Sequence, residues 1–526
     1  MIRYTSQSQL TLEGFETPFS QHLDPDNRWV KMAALIPWDK LAGIYYRRMS
    51  DSQGAPAIDA RMVIGAVVIK HVLNIDDREI VEQIKENMYL QYFVGLSSFQ
   101  TSAPFDASLM VSIRKRLGQS LMEEFNREVL LQAGIIASNN TTTTTTTPTG
   151  HDRDNNDFSA KATVQQQQTK DPLEEEKPTI THCGQLMIDA TVAEQQIEYP
   201  TDLKLLNESR QQLERMIKQV YNAAELAMPR TYKRKARRQY LMIAKKKNKT
   251  KKEIRKGLRQ QLQYVKRDLG YLDDLLEKNS LFRYMLNERD WKLLRVIHET
   301  WRQQKEMYDE NKHSLADRIV SIYQPHVRPM PRGKDKASVE FGSKHLVMYK
   351  DGYTQVHTIG WDNFNEGTRL QQCVEYYKDV YHCYPQSVSV DKLFGSKENR
   401  NYLKQHGIRF VGKSLGRPKK MQTKQKRALE KEMAQRNLIE GKFGQGKTAY
   451  GLQKIKARLK DTSESWIMSI YFVMNLLLWA EETFFGFIKK WLTAWMESYR
   501  EKFANEYLIV RLSSISPEPS PVFYYK

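Results

Sequence analysis

Arg436, Glu440 and Lys447 stand within one stretch, QRNLIEGKFGQGKTAY (435–450), with three residues between the first two and six between the last two. At 3.6 residues per turn all three project from roughly one side of a helix. Such an acid between two cations has two readings. One is a solvated salt-bridge ladder; the other is a metal-binding carboxylate flanked by cations that contact phosphate. Glycines at 441, 444 and 446 weaken the helix, each costing about 1 kcal/mol against alanine. Taken alone the stretch favours the ladder, and the metal reading needs carboxylates from elsewhere.

Two further acids stand in strand-like surroundings. Asp189 lies in the apolar run QLMIDATV (185–192), and Asp391 ends SVSVD (387–391). A carboxylate is conspicuous in a strand that expects cover on both faces, although a lone strand-borne aspartate is also a common turn or cap residue. Three converging carboxylates repel one another, and a hard, oxygen-seeking cation such as Mg²⁺ relieves that repulsion. Two such ions about 3.5–4 Å apart clamp the attacking and leaving oxygens of an in-line phosphoryl displacement. That chemistry asks the protein chiefly for positioning and charge.

The elements that would position these acids follow from periodicity. After Pro325 the period is two: VEFGSKHLVMY (339–349) and 355–359 read as strands joined by a turn at Asp351-Gly352. Then come a helix over 366–381, the strand ending at Asp391, a helix over 397–405, a strand over 408–411 and the helix carrying Glu440. This is an α/β order, predicting a mixed sheet with helices on both faces. The stretch 203–322 interrupts it with a helical pattern in which Leu258, Leu262, Val265, Leu269, Leu272 and Leu276 form a coiled-coil-like seam.

Charge points to the partner. The 526 residues carry 82 lysines and arginines against 62 acids, a formal net charge of +20. A surplus of that kind suits an extended polyanion, or an anionic surface. From 230 to 267 there are 17 cations, with Glu253 as the sole acid. Lys245, Lys246, Lys247, Lys251 and Lys252 are the candidate nucleic-acid contacts there, with Tyr232, Tyr240 and Tyr264 available for sugars or bases. Upstream, 58–134 reads as short helices: Asp76 and Glu79 form a capping pair, and Asp106 and Ser120 can cap later helices. The basic helix with Arg114, Lys115 and Arg116 fits a helix-turn-helix-like DNA-binding module, or an ordinary bundle with a basic face.

Residues 137–180 hold seven consecutive threonines, four glutamines and a run of three glutamates, too little apolar content to repay ordering. They mark the boundary between the helical segment (1–136), for which both the DNA-binding and the bundle readings stand, and the α/β segment (181–500) with its helical insertion at about 203–322; 501–526 is a tail. The three cysteines, Cys183, Cys373 and Cys383, form neither a CxxC nor a disulfide framework, which suits a reducing interior. WIMSIYFVMNLLLWA (466–480) is shorter than a typical spanning helix and is interrupted by Ser469 and Asn475, so it reads as a buried core helix.

The ordered set SQLTLEGFETPF, DDREIVEQIKEN, YFVGL, IDATV, YPTDLKLLN, RPMPRGK, EFGSKHLV, VDKLFGSKENR, GIRFVGKSLGRP and RNLIEGKFGQGK resembles bacterial insertion-sequence transposases of the DDE class. The resemblance implies a ribonuclease H-like catalytic domain in which Asp189, Asp391 and Glu440 bind Mg²⁺, with Mn²⁺ as a substitute. It also implies double-stranded DNA as substrate, a homodimer that brings two element ends together, and a cytoplasmic, DNA-associated protein without a membrane. Arg436 and Lys447 fit a tyrosine–arginine–glutamate–lysine signature, with Met433 where the tyrosine would stand. Lys392 and Lys442 are further candidate phosphate contacts. A nuclease without strand transfer and an inactive DNA-binding relic are the alternatives.

Overall fold

The computed structural model describes residues 22–49, 57–136, 182–334, 337–413, 415–416 and 423–484. The linker expected over 137–180 and the tail over 501–526 lie outside them. The described residues upstream of 137 form α1 (Arg28–Leu35), α2 (Trp38–Tyr46), α3 (Ala60–Leu73), α4 (Asp77–Glu86), α5 (Met88–Phe93), α6 (Leu109–Leu117) and α7 (Gln119–Gln132). Asp76 caps α4 by accepting from the amides of Arg78 and Glu79. Asp106 instead forms a turn with Ser108, one step ahead of α6, and Ser120 lies inside α7.

The sheet comprises β1 (Gln185–Gln195), β2 (Arg328–Lys334), β3 (Ala337–Lys350), β4 (Tyr353–Gly360), β5 (Ser387–Val390), β6 (Arg409–Val411) and β7 (Lys454–Ile455). Its order is β2-β3-β1-β5-β6, with β4 also on β3 and β7 on β1. β1 runs antiparallel to β3 and parallel to β5, so the sheet is mixed as the α/β order predicts. β3 and β4 meet in the expected two-residue turn, Asp351 and Gly352 both having positive φ (49° and 92°). β2 has no period-two signature because Pro329 and Pro331 interrupt it, and prolines are tolerated there because β2 is an edge. Gly342 pairs with β1 on one side and β2 on the other; a Cβ there would lie 1.9 Å from the Ala193 carbonyl oxygen.

Strand alternation gives the sheet two differently covered faces. Leu186, Ile188, Leu346, Met348, Val388 and Val390 pack under α12 (Leu370–Tyr381) and α13 (Lys397–Gln405). Met187, Val347 and Tyr349 join a second core on the opposite face, and α16 (Lys460–Phe484) is its axis. That helix is apolar on all sides and buried, touching the sheet on one flank and α3 and α7 on the other. It is long and apolar enough to cross a membrane by those criteria, yet 61% of its most apolar stretch is buried. Asn475, which interrupts the run, accepts from the Thr354 amide (3.0 Å) and donates to the Thr354 carbonyl (2.6 Å) and to Asn126 of α7 (2.7 Å). The helices upstream of residue 137 therefore share one core with the sheet.

The insertion is a helical unit with its own core: α8 (Asp202–Ala223), α9 (Lys233–Ala244), α10 (Lys251–Lys278) and α11 (Glu288–Asp309). The predicted seam is buried along α10, with Leu258 partly so. The cysteine expectation is corrected: Cys183 and Cys383 are disulfide-bonded, their Cα atoms 6.0 Å apart. They stand 200 residues apart in sequence, and only the parallel pairing of β1 with β5 brings them together.

Candidate active site and nucleic-acid interface

The β1–β5 register explains why two distant aspartates meet. Ile188 pairs with Val390, so the next residues, Asp189 and Asp391, stand side by side where β5 ends. Alternation turns both away from Ile188 and Val390 and towards the face that α15 (Asn437–Ala449) covers with Ile439 and Phe443. Glu440 follows Ile439 in the first turn of α15, and α15 packs on β1. Asp391 also caps the short 3₁₀ turn Lys392–Phe394, accepting from the Lys392 amide at 2.7 Å.

Arg436 joins two of the acids. Its Nη1 donates to Asp189 Oδ2 at 3.1 Å and its Nη2 lies 2.7 Å from Glu440 Oε1; Asp189 Oδ1 accepts from the Ala190 amide at 2.9 Å. Burial pushes the Asp189 carboxyl up to about 6, and Glu440 and Asp391 add to that rise, while the Ala190 amide and Arg436 oppose it. The three acids thus share one electrostatic locus. Among the described residues no three His, Cys, Asp or Glu side chains stand close enough to hold a metal ion as they are. The donor chemistry fits a hard divalent cation nonetheless, because an all-carboxylate set already draws in a positive group.

The other predicted site residues divide by direction. The helix breaks between α14 (Thr423–Ala434) and α15, so Arg436 sits at a junction instead of within one continuous helix. Glu440 and Arg436 do form the i,i+4 pair that the ladder reading expects. Lys447 is half-buried beside His345 of β3, whose burial lowers its imidazole to about 3, with Lys447 adding to the fall. Nothing in the sequence singles out His345, although alternation along β3 places it two residues from Val347, the partner of Asp189. Lys392 is exposed beside Asp391. Lys442, about 200° around the helix from Glu440, lies in the field of Glu481 and Glu482 and leaves the acid locus.

The basic stretches behave differently. Arg114 is buried: its two terminal nitrogens grip Asp77 at 2.9 and 2.6 Å, and its guanidinium lies 5.1 Å from the Trp466 ring centroid. Lys115 and Arg116, expected to act with it, are exposed. Lys245, Lys246, Lys247, Lys251 and Lys252 are all exposed where α9 hands over to α10. Glu253 is already committed, pairing with Lys246 and capping α10 through Thr250. Arg234, Arg237, Arg238 and Lys245 line an open concavity of about 490 Å³ with Leu241 and Met242. Tyr264 is buried and donates to Gln239, so of the tyrosines offered above it faces inward.

Known proteins share two parts of this chain. The transposase DDE domain profile matches residues 388–477, which hold Asp391, Arg436, Glu440, Lys447 and most of α16, and leave Asp189 outside. The transposase domain profile (DUF772) matches residues 17–116, which hold α1 to α5 and most of α6. An uncharacterized protein, ORF8 in the nfe locus of Rhizobium meliloti, is 39% identical over 118 residues, 21% of this chain. The chain spans only 55% of that relative's length. No solved structure matches.

Proposed function

Because this chain carries two transposase domains, one of them of the DDE type, we propose that it binds the ends of an insertion sequence, cleaves them and joins the freed 3′-hydroxyl to target DNA. The observation that carries the reading is the β1–β5 register, which sets Asp189 beside Asp391 on the face that α15 covers with Glu440. These three acids would hold Mg²⁺, or Mn²⁺ in its place, and the cation would supply Lewis-acid polarisation of the phosphoryl group and neutralise developing charge. Asp189, fixed by the Ala190 amide, and Asp391, fixed by the Lys392 amide, form a pre-set pair, while Glu440 is half-exposed at a helix start.

The surrounding cations bind and orient DNA. Arg436, Lys447 and Lys392 flank the acids and take phosphates near the scissile bond. Lys115, Arg116 and the lysines between α9 and α10 hold the duplex at greater distance. In the same reading the helices upstream of residue 137, which share a core with the sheet, serve as the DNA-binding part, and the sheet with its helices is the ribonuclease H-like part. A homodimer on paired ends and a cytoplasmic, DNA-associated protein outside the membrane belong to it too.

Strand transfer separates this reading from that of a simple nuclease. Purified protein, Mg²⁺, DNA carrying the segments that flank the gene and a supercoiled target should yield joint molecules on a gel. Nicked or cut ends without joint molecules would reduce the reading to a nuclease; no cleavage at all would favour a DNA-binding relic.

A further inference from the structure

Arg436 makes two contacts that a phosphate-binding residue does not need. Its guanidinium spans Asp189 (3.1 Å) and Glu440 (2.7 Å), two of the three acids assigned above to a divalent cation. The two contacts differ in setting. The Asp189 side chain is 16% exposed and that of Glu440 50%, so attraction to Asp189 is the less screened by water. Arg436 can leave without breaking the fold locally. It stands ahead of α15 and its side chain makes no capping hydrogen bond.

We propose that Arg436 is an internal counterion that competes with the divalent cation for Asp189 and Glu440, so that the cation is bound there only as the arginine releases the pair. The proposal rests on the assignment of these acids to a cation. It makes Arg436 a two-position residue. On the acids it stabilises the metal-free protein; off them, the same guanidinium is free to take a DNA phosphate, for which its planar fork is suited. Substrate phosphate would then favour release of the acids, and the site would arm where DNA is present.

The test needs neither DNA nor activity. Mn²⁺ binding to the full-length protein is followed by the paramagnetic resonance of free Mn²⁺, for the wild type and for Arg436→Gln, Arg436→Lys and Asp189→Asn, with circular dichroism to check folding. Competition predicts roughly tenfold tighter Mn²⁺ binding by Arg436→Gln. Arg436→Lys should fall between it and the wild type, because an ammonium lacks the fork that spans both carboxylates. Unchanged or weaker binding by the Arg436 variants, with Asp189→Asn still abolishing it, would overturn the competition and leave the site assignment standing. Binding indifferent to Asp189→Asn would overturn the assignment itself, and the inference with it. Should Arg436→Gln misfold, Arg436→Lys decides alone: tighter than wild type supports competition, equal or weaker overturns it.

Discussion

Two stretches of this chain are rich in arginine and lysine, and the fold uses them in opposite ways. In α6, Arg114 is drawn inside, bound through both terminal nitrogens to Asp77 and laid against Trp466, with Lys70 on the same carboxylate at 2.7 Å. Between α9 and α10 the lysines stay in water, and the nearby acid Glu253 is already spent on a helix cap. A cation that finds a shielded carboxylate is part of the architecture. A cluster left in water is open to a partner that supplies the negative charge.

The comparison can be broken from either side. Arg114→Ala should destabilise the fold by roughly 3 kcal/mol, because Asp77 loses its bidentate partner in a shielded place. Urea unfolding measures that, and DNA affinity of the folded fraction should not change. A stable variant with weakened DNA binding would put Arg114 back among the residues that touch DNA. Replacing Lys245, Lys246, Lys247, Lys251 and Lys252 by glutamine should do the reverse. DNA affinity should drop on the order of a hundredfold, and the salt slope should flatten by about 0.9 for each phosphate that is no longer neutralised. The urea midpoint should barely move; an unchanged salt slope would make the cluster an ordinary solvated surface.

Beneath that cationic surface lies an acid without a match. Asp268 of α10 is fully buried, neither carboxylate oxygen has a hydrogen-bond partner, and burial followed by Glu214 pushes it up to about 8, against the opposing pull of Arg210 and Arg267. The folded protein keeps this proton across a window, from about pH 4 to 8, where the unfolded chain has already released it. Stability therefore falls as pH rises through that window. Asp268→Asn should remove the loss, gaining on the order of 2 kcal/mol over the wild type at about pH 9 and little at about pH 4. Parallel unfolding curves for the two proteins at both pH values would contradict this. Smallest of all, Lys442→Ala should change DNA cleavage by less than about twofold, since it faces Glu481 and Glu482 rather than the acids.

Periodicity made much of the fold legible. The strands at 185–192, 339–349 and 387–391 (the last ending one residue earlier, at Val390), the Asp351-Gly352 turn and the helix over 397–405 all follow from alternation, turn residues and caps. What could not be read was set by tertiary pairing. β2 is masked by its prolines, β7 is two residues long, and the Cys183–Cys383 bond exists because β1 and β5 run side by side. The same holds for the site. Asp189, Asp391 and Glu440 are each ambiguous alone, and the one-residue offset beyond the Ile188–Val390 pair is what sets the two aspartates together. Direction around a helix or strand separates the remaining cations: composition cannot tell Arg114 from Lys115, or Lys442 from Lys447.

The most direct test of that convergence is Mg²⁺-dependent cleavage of DNA carrying the segments that flank the gene, comparing the wild type with Asp391→Asn. Asp391 is exposed at the end of β5, so the substitution leaves the core intact. Folded Asp391→Asn protein that binds the DNA and no longer cuts it is the predicted result. Undiminished cleavage would show that the chemistry lies elsewhere in the molecule.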